Sequence, residues 1–146
     1  MTIERMNARH VSQVAELEKL CFSDPWSEKS VASELENSLA CWLAALEGDR
    51  VTGYVGSQTV LGESDMMNIA VHPDCRRQGI AEALVNALIT VLREQGSHCL
   101  TLEVRASNEP AIKLYRKLGF VQVGKRPNYY FNPREDALIL RKEWDI

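Results

Sequence analysis

Apolar residues follow two different spacings along the chain, and together these predict a mixed α/β fold. Continuous apolar stretches at residues 39–46, 51–60 and 66–71 are typical of buried strands. Residues 11–21 and 80–95 instead have apolar side chains three or four positions apart, as on one face of a helix. The predicted order is a strand, two helices, three strands, a helix, a strand, a helix and closing strands, with the sheet as the middle layer.

Capping residues and glycines predict where the helices begin and end. Asn7 and Ser27 are placed to cap the first two helices. Trp26 precedes the second cap and Val31 follows it by four positions, which is the spacing of a hydrophobic staple. Gly96 is a plausible stop for the long helix in the middle of the chain.

The second half of the chain contains a predicted crossover and a shorter capped helix. Residues 66–104 form a strand, a helix and a strand, an arrangement that joins parallel strands. Asn108 is placed to cap the next helix, which is expected to end at Gly119. The buried stripe of that helix is expected to contain Ala111, Leu114 and Leu118. Closing strands are expected at residues 120–123 and 137–141.

Composition limits the class of protein. The chain has 146 residues, 45% hydrophobic and 25% charged, so one domain over residues 1–146 is expected. A net charge of −3 argues against a dedicated nucleic-acid-binding protein. No apolar run reaches the roughly 18 residues of a membrane-spanning helix, and the N-terminal residues lack a signal-peptide pattern. We therefore expect a cytoplasmic protein with neither a membrane nor a direct nucleic-acid partner.

Cysteine and histidine positions do not indicate a metal site. The four cysteines and three histidines stand too far apart for a CxxC pair or a metal-ligand spacing, and reduced thiols are expected. Cys75 alone suggests another chemistry. It lies near a helix N-terminus beside Arg76 and Arg77, where a thiolate is favoured and covalent catalysis is an alternative.

The loop at residues 71–81 joins a buried strand to the long helix. Free backbone N–H groups and the helix dipole favour an anion at such a point. Gly79 and Ala81 allow close approach of a ligand, and Arg76 and Arg77 add positive charge. The loop is neither a GxGxxG nor a Walker motif, so it does not indicate a dinucleotide or a nucleoside triphosphate. The alternative is a basic loop without a ligand.

Residues 102–120 indicate a strand end, a loop, a capped helix and a glycine stop. Glu103 lies on the strand face opposite Leu102, because successive strand residues point to opposite faces. Asn108, Ile112 and Tyr115 share one helix face, so Asn108 and Tyr115 are able to face one ligand. The residues alone leave two interpretations open: a functional site, or an ordinary strand glutamate and a half-buried helix aromatic.

Both segments resemble motifs of the GNAT family of N-acetyltransferases. Arg76-x-x-Gly79-x-Ala81 resembles the family motif Q/R-x-x-G-x-G/A, and the run from Asn108 to Phe120 resembles N-x-x-A-x-x-L-Y-x-x-x-G-F. The resemblance continues through Arg126-Pro127-Asn128-Tyr129-Tyr130 and covers nearly the whole chain. It implies a mixed, mostly antiparallel central sheet of about six or seven strands flanked by about four helices.

The resemblance implies acetyl-CoA as co-substrate and no metal. In the family, the loop holds the coenzyme pyrophosphate, and the preceding strand pairs with the pantetheine arm through its backbone. The residues of this chain that the resemblance assigns to coenzyme binding are Ile69, Ala70, Val71, Arg76, Arg77, Gln78, Gly79, Ile80, Ala81, Glu82 and Asn108.

The resemblance also implies a catalytic pair. An α-amino group with a pKa of about 8 must lose a proton before it attacks a thioester, and Glu103 matches the family's general base. Tyr115 matches the general acid that protonates the leaving thiolate. A backbone N–H near residues 69–71 is expected to hold the oxyanion. Tyr129 and Tyr130 are expected to shape the peptide pocket.

The implied activity is transfer of an acetyl group to the N-terminal α-amino group of a protein. The implied partner is the N-terminal segment of a ribosomal protein, with the terminal alanine of a small-subunit protein as acceptor. Two alternatives stay open from the sequence: acetylation of lysine side chains or small amines, and a non-catalytic acyl-CoA-binding module. The sequence does not predict an oligomeric state.

Overall fold

A seven-stranded sheet runs through the middle of the protein in the computed structural model, which describes residues 1–144. Asp145 and Ile146, the end of the predicted domain, lie outside the described residues. The strands are β1 Thr2–Arg5, β2 Ala40–Glu47, β3 Arg50–Val60, β4 Glu63–Val71, β5 Cys99–Arg105, β6 Val121–Tyr130 and β7 Glu135–Glu143. Their order in the sheet is β1-β2-β3-β4-β5-β7-β6.

Helices cover both faces of the sheet. They are α1 Val11–Cys21, α2 Glu28–Ser33, α3 Ile80–Glu94 and α4 Glu109–Lys117, with 3₁₀ turns at Glu34–Glu36 and Pro73–Cys75. Apolar residues of α1 and α2 form one core cluster with Trp42 and Tyr54. Those of α3 and α4 form the other with Leu100 and Leu102. The predicted fold class is therefore confirmed. Within residues 1–144, no helix is long and apolar enough to cross a membrane.

The two central strands pair over a short distance and then separate. Strand β4 is parallel to β5, which confirms the predicted crossover, and every other pair in the sheet is antiparallel. The parallel ladder joins Glu63 to Cys99 and ends where Asp65 meets Thr101. Beyond Asp65, no backbone ladder links β4 to β5 in the described chain. A gap therefore opens between these strands, and it lies next to residues 69–71.

Two of the predicted caps are confirmed and one is wrong. Ser27 accepts a hydrogen bond from the Ser30 N–H at 3.1 Å, and Asn108 accepts one from the Ala111 N–H at 3.3 Å. Asn7 does not cap α1, which begins at Val11. Its side chain instead accepts from the Arg9 N–H at 2.9 Å, because an asparagine also closes local turns within the preceding loop.

The predicted buried stripe of α4 is only partly correct, since Ala111 and Leu118 pack against the core cluster without being buried. Ile112 and Tyr115 are the buried residues of this helix, whereas Ala111, Leu114 and Leu118 are only partly covered. The apolar residues of α4 span a wide arc, so the sequence alone did not decide which part of that arc faces the sheet. Packing against the cluster beneath α3 selected the face that contains the tyrosine.

Strands β6 and β7 are longer than their apolar stretches predicted. Strand β6 extends to Tyr130, although its side chains from Lys125 to Tyr129 are exposed and mostly polar. It is an edge strand whose partner is β7. Backbone hydrogen bonding, rather than side-chain burial, therefore defines its outer half, and hydrophobic patterns do not report such pairing.

Candidate active site

The loop before α3 forms a concave turn of exposed backbone. Arg77 and Gly79 both adopt left-handed conformations, with φ of 65° and 78°. Helix α3 begins directly after Gly79, whose carbonyl accepts the first helical bond from the Ala83 N–H at 3.0 Å. The N–H groups of the first helical turn lack carbonyl partners within the helix and lie beside the positive end of its dipole. This arrangement suits an anion such as a pyrophosphate.

Side chains of the loop take distinct directions. Arg76 turns back toward the end of β4, where its Nε donates to the Val71 carbonyl at 3.3 Å and its Nη2 lies 3.7 Å from the Cys21 Sγ. Arg77 and Gln78 are exposed. The side chain of Ile80 is buried and anchors the helix start in the core.

Further residues assigned to the coenzyme surround the start of α3. Ala81 is partly buried. Glu82 pairs with the Lys117 Nζ at 2.9 Å, which ties the first turn of α3 to the last turn of α4. Asn108 is exposed and caps α4. Cys75, the rival nucleophile, is buried in the apolar cluster under α3.

Residues 69–71 of β4 border the gap. On one side they pair with β3, where Val55 opposes Ile69 and Gly53 opposes Val71. On the other side the ladder to β5 has already ended. Alternate backbone groups of an edge point outward. The Ile69 N–H donates to the Asn68 Oδ1 and the Val71 carbonyl accepts from Arg76, so only the remaining outward groups are available to a ligand in the gap. The pairing with β3 shifts register between Gly56 and Ser57, which marks a bulge immediately before Asn68.

Glu103 of β5 points to the face that α1 and α2 cover. Its neighbours Leu102 and Val104 belong to the cluster under α3, so the glutamate side chain faces the other way. Its Oε1 lies 3.3 Å from the Arg126 Nε, and 28% of its side chain is exposed. Its Oε2 is buried and accepts no hydrogen bond of good geometry.

Two tyrosines of β6 surround this carboxylate. Hydrogen bonding to Glu103 is the main cause that raises the pKa of Tyr129, whose ring also faces the Arg126 guanidinium at 5.8 Å. Burial, followed by the charge of Glu103, raises the pKa of Tyr130 to about 12. Arg105 stacks on the Tyr130 ring at 4.4 Å.

Tyr115 lies in the buried cluster on the face of the sheet opposite to Glu103. It is 5% exposed and packs edge-on against Phe120, with ring centroids 5.5 Å apart. Burial, with a smaller effect of Tyr130, raises the pKa of this phenol above its ordinary value.

Two arginines of the site were missed as site residues by sequence reasoning. Arg126 pairs with Glu103, and Arg105 donates to the carbonyls of Phe131 at 3.1 Å and Pro133 at 3.0 Å, which holds the β6–β7 turn. Both arginines were missed because their partners lie far away in the sequence. Alternation along β5 was the available signal, since it places Arg105 on the same face as Glu103. Residues 1–144 contain no group of three or more histidine, cysteine or acidic residues able to hold a metal ion.

A family model described as the acetyltransferase (GNAT) family matches residues 11–120. The chain belongs to the GNAT family. The matched region includes the loop before α3, the gap between β4 and β5, and both Glu103 and Tyr115. The family membership and the geometry therefore concern the same part of the molecule.

Relatives within the GNAT family match almost the full length. A ribosomal protein bS18-alanine N-acetyltransferase of Escherichia coli K12 is 38% identical over 141 residues, which cover 95% of each chain. The Haemophilus ducreyi protein of the same name is 37% identical over 143 residues, covering 94% of this chain and 97% of that one. The crystal structure of the ribosomal-protein-S18-alanine N-acetyltransferase from Escherichia coli superposes with a TM-score of 0.91 at 36% identity, covering 99% of this chain and 94% of that chain.

Proposed function

We propose that this protein transfers the acetyl group of acetyl-CoA to the N-terminal α-amino group of a protein, with the terminal alanine of a small-subunit ribosomal protein as acceptor. The observation that carries the proposal is the full-length similarity to bS18-alanine N-acetyltransferases. The partner is then the N-terminal segment of ribosomal protein bS18 or its equivalent, and the reaction takes place in the cytoplasm, where ribosomal proteins are made.

The coenzyme is assigned to the concave loop and the exposed edge of β4. Backbone N–H groups at the start of α3 and the guanidinium of Arg77 suit its pyrophosphate. The free edge of β4 suits the amide groups of the pantetheine arm. The residues assigned to this binding are Ile69, Ala70, Val71, Arg76, Arg77, Gln78, Gly79, Ile80, Ala81, Glu82 and Asn108. Ile80 contributes its backbone, because its side chain is buried.

Glu103 and Tyr115 are assigned the two proton transfers. Glu103 takes a proton from the α-ammonium group, directly or through a water molecule. The free amine then attacks the thioester carbonyl carbon, a C–N bond forms and the C–S bond breaks. Tyr115 gives its phenolic proton to the departing sulfur, and the second proton that the attacking nitrogen loses as the amide forms passes to the resulting phenolate. A backbone N–H of residues 69–71 stabilises the negative charge on the carbonyl oxygen.

The surroundings of both residues suit these roles. Arg126 engages Oε1 of Glu103, and we assign the proton to the buried Oε2. The raised pKa of Tyr115 keeps its phenol protonated at neutral pH, as an acid requires. Glu103 lies on one face of the sheet and Tyr115 on the other, and the ladder between β4 and β5 ends before Glu103.

Mass spectrometry of peptides incubated with acetyl-CoA tests the acceptor. The panel contains a ribosomal peptide that begins with alanine, the same peptide with a blocked N-terminus, and a lysine-rich peptide. We expect a gain of one acetyl group on the free alanine terminus alone. Modification of the blocked or lysine-rich peptides would assign the activity to side chains, and no gain on any peptide would refute the proposal.

Paired substitutions test the residue roles. We expect Glu103→Gln and Tyr115→Phe each to lower kcat by about 10²-fold or more, the usual contribution of a positioned acid or base. Coenzyme affinity, measured by calorimetry, should stay within about twofold of the parent, because neither residue is assigned to coenzyme binding. Glu16→Gln, which changes an exposed glutamate of α1, is the matched control. Parent-like turnover in both variants would contradict the assignment.

A further inference from the structure

Helix α1 contains a carboxyl group where an apolar side chain is the rule. Glu18 is 0% exposed and lies among Val14, Leu17 and the other residues of the core cluster under α1. An isolated carboxylate in such surroundings is strongly unfavourable unless hydrogen bonds compensate it. Burial accordingly raises the pKa of Glu18. The catalytic mechanism assigned above does not use this group.

Three donors from three separate segments meet at this carboxyl group. Its Oε1 accepts from the Trp26 backbone N–H at 2.8 Å, in the loop between α1 and α2. Its Oε2 accepts from the Asn68 Nδ2 of β4 at 2.5 Å and from the Tyr54 hydroxyl of β3. One side chain of α1 therefore connects the α1–α2 loop to two strands of the sheet.

Aromatic rings connect the same segments a second time. The Trp26 ring packs edge-on against Trp42 with centroids 5.4 Å apart, and Trp42 stacks on Tyr54 at 5.8 Å. The polar and the aromatic contacts therefore place the loop at one fixed position against the sheet. Loops otherwise keep considerable freedom, because their backbone makes few contacts.

The Asn68 side chain links Glu18 to the β4 residues that border the gap between β4 and β5. While its Nδ2 donates to Glu18, its Oδ1 accepts from the Ile69 N–H at 3.2 Å. Ile69 is the first of the β4 residues assigned to the coenzyme. Asn68 reaches α1, so its side chain lies on the sheet face to which Glu103 also points.

We propose that Glu18 is a positioning residue for acetyl transfer. It holds the Trp26 loop and the Asn68 side chain in fixed positions relative to each other, so that the gap keeps a fixed width on the side of the acceptor. The inference rests on the proposed function. Glu18 does not touch the acceptor. It acts through Asn68 and Ile69 at the border of the gap, and its loss is expected to impair acceptor binding more than turnover.

A swap of donor and acceptor gives a direct test. In Glu18→Gln, the amide oxygen still accepts from the Trp26 N–H, but the amide NH₂ now faces the NH₂ of Asn68, so that hydrogen bond is lost. Adding Asn68→Asp restores it with reversed polarity, because the new carboxylate accepts from the Gln amide and keeps an oxygen for the Ile69 N–H. Glu16→Gln, on the exposed side of the same helix, is again the matched control.

We expect Glu18→Gln to lower kcat/KM for the alanine peptide about tenfold, the effect of losing one buried hydrogen bond, mainly through KM. Coenzyme affinity should remain within about twofold. The double variant should recover most of the loss. Parent-like kinetics in Glu18→Gln, or a double variant no better than the single one, would overturn the proposal.

Amide hydrogen exchange separates positioning from general stability. If Glu18 positions the site, exchange in Glu18→Gln should accelerate at Ile69 and its neighbours while the core of α3 stays protected. Uniform acceleration over all core amides would indicate a structural role only and overturn the proposal. If Glu18→Gln does not fold, Tyr54→Phe replaces it as the test variant, because it removes only one of the hydrogen-bond donors to Glu18. The same kinetic and hydrogen-exchange measurements then apply. If the parent acetylates no peptide, the proposed function fails, while the exchange pattern still tests the connection.

Discussion

Gly56→Ala should destabilise the protein more than a single added methyl group suggests. Gly56 lies in β3 opposite Trp42 of β2 and Asn68 of β4. A Cβ at this position would stand 2.4 Å from the Trp42 Cε2, with two further ring carbons at 2.5 and 2.6 Å. Carbon atoms pack best at about 3.5–4.0 Å, so the indole must retreat by about 1 Å.

The indole has little room for such a movement. Trp42 is 4% exposed and lies between the Tyr54 ring on one side and the Trp26 ring on the other. Overpacked cores lose about 1–3 kcal/mol, and we expect a value near the upper limit because rigid rings surround the clash. At about 2–4 °C per kcal/mol for a chain of this size, a loss of about 3 kcal/mol lowers Tm by about 6–12 °C.

Urea denaturation followed by circular dichroism measures this loss, with calorimetry for Tm. Gly124→Ala is the matched control, since the nearest atoms to its Cβ all belong to the Ile139 side chain, with the end of that chain, Cδ1, at 3.2 Å and the other two atoms at 3.9 Å. Trp42→Phe should partly rescue Gly56→Ala, and a double-mutant cycle should give a coupling of about 1 kcal/mol or more. A Gly56→Ala variant within about 0.5 kcal/mol of the parent, or a cycle without coupling, would refute the reasoning.

Three further predictions concern stability and pH dependence. Ser27→Ala should cost about 1 kcal/mol through loss of the α2 cap, measured as a lower urea midpoint at unchanged m; an unchanged midpoint would argue against the cap. Hydrogen bonding to the Ser107 side chain, followed by the bond from the Ser107 N–H at 2.7 Å, lowers the pKa of Glu135. The contribution of Glu135 to stability is therefore present at neutral pH and disappears as pH falls below about 4. Glu135→Gln should therefore be less stable than the parent at pH 7 and equal to it near pH 2.5, and a difference that persists in acid would contradict this cause. Burial raises the pKa of Tyr115, so at any pH lower than about 10 the ionisation of this residue should not reduce kcat. A pH–rate profile in which kcat falls at a lower pH, and in which Tyr115→Phe abolishes that fall, would be inconsistent with the burial of Tyr115.

The order of strands and helices was largely predictable, because each element carries a local signal. The helix from Ile80 to Glu94 repeats apolar residues at helical spacing, and Ser27 and Asn108 cap helices through groups only three residues away. Gly79, in the left-handed region, marks the turn before α3. Periodicity, capping and glycine conformation act within a few residues, so a sequence displays them directly. Motif resemblance then correctly supplied the family and the fold class.

Local signals misplaced elements where two structures compete for the same residues. Asn7 has the chemistry of a helix cap but closes a turn instead. The outer half of β6 has exposed polar side chains, and only its backbone pairing with β7 makes it a strand. In α4, apolar residues occupy more than one side, and packing selected the side of Tyr115.

By itself, the sequence determined the element order, the glycine turn before α3 and the helix caps at Ser27 and Asn108, because short-range chemistry specifies all three. Only the tertiary structure decided that β4 and β5 separate after Asp65, that Arg126 meets Glu103, and that the buried Glu18 joins the Trp26 loop to Asn68. These contacts join residues far apart in the chain. They depend on strand order and register, and a shift of one residue would turn every side chain of a strand to the opposite face.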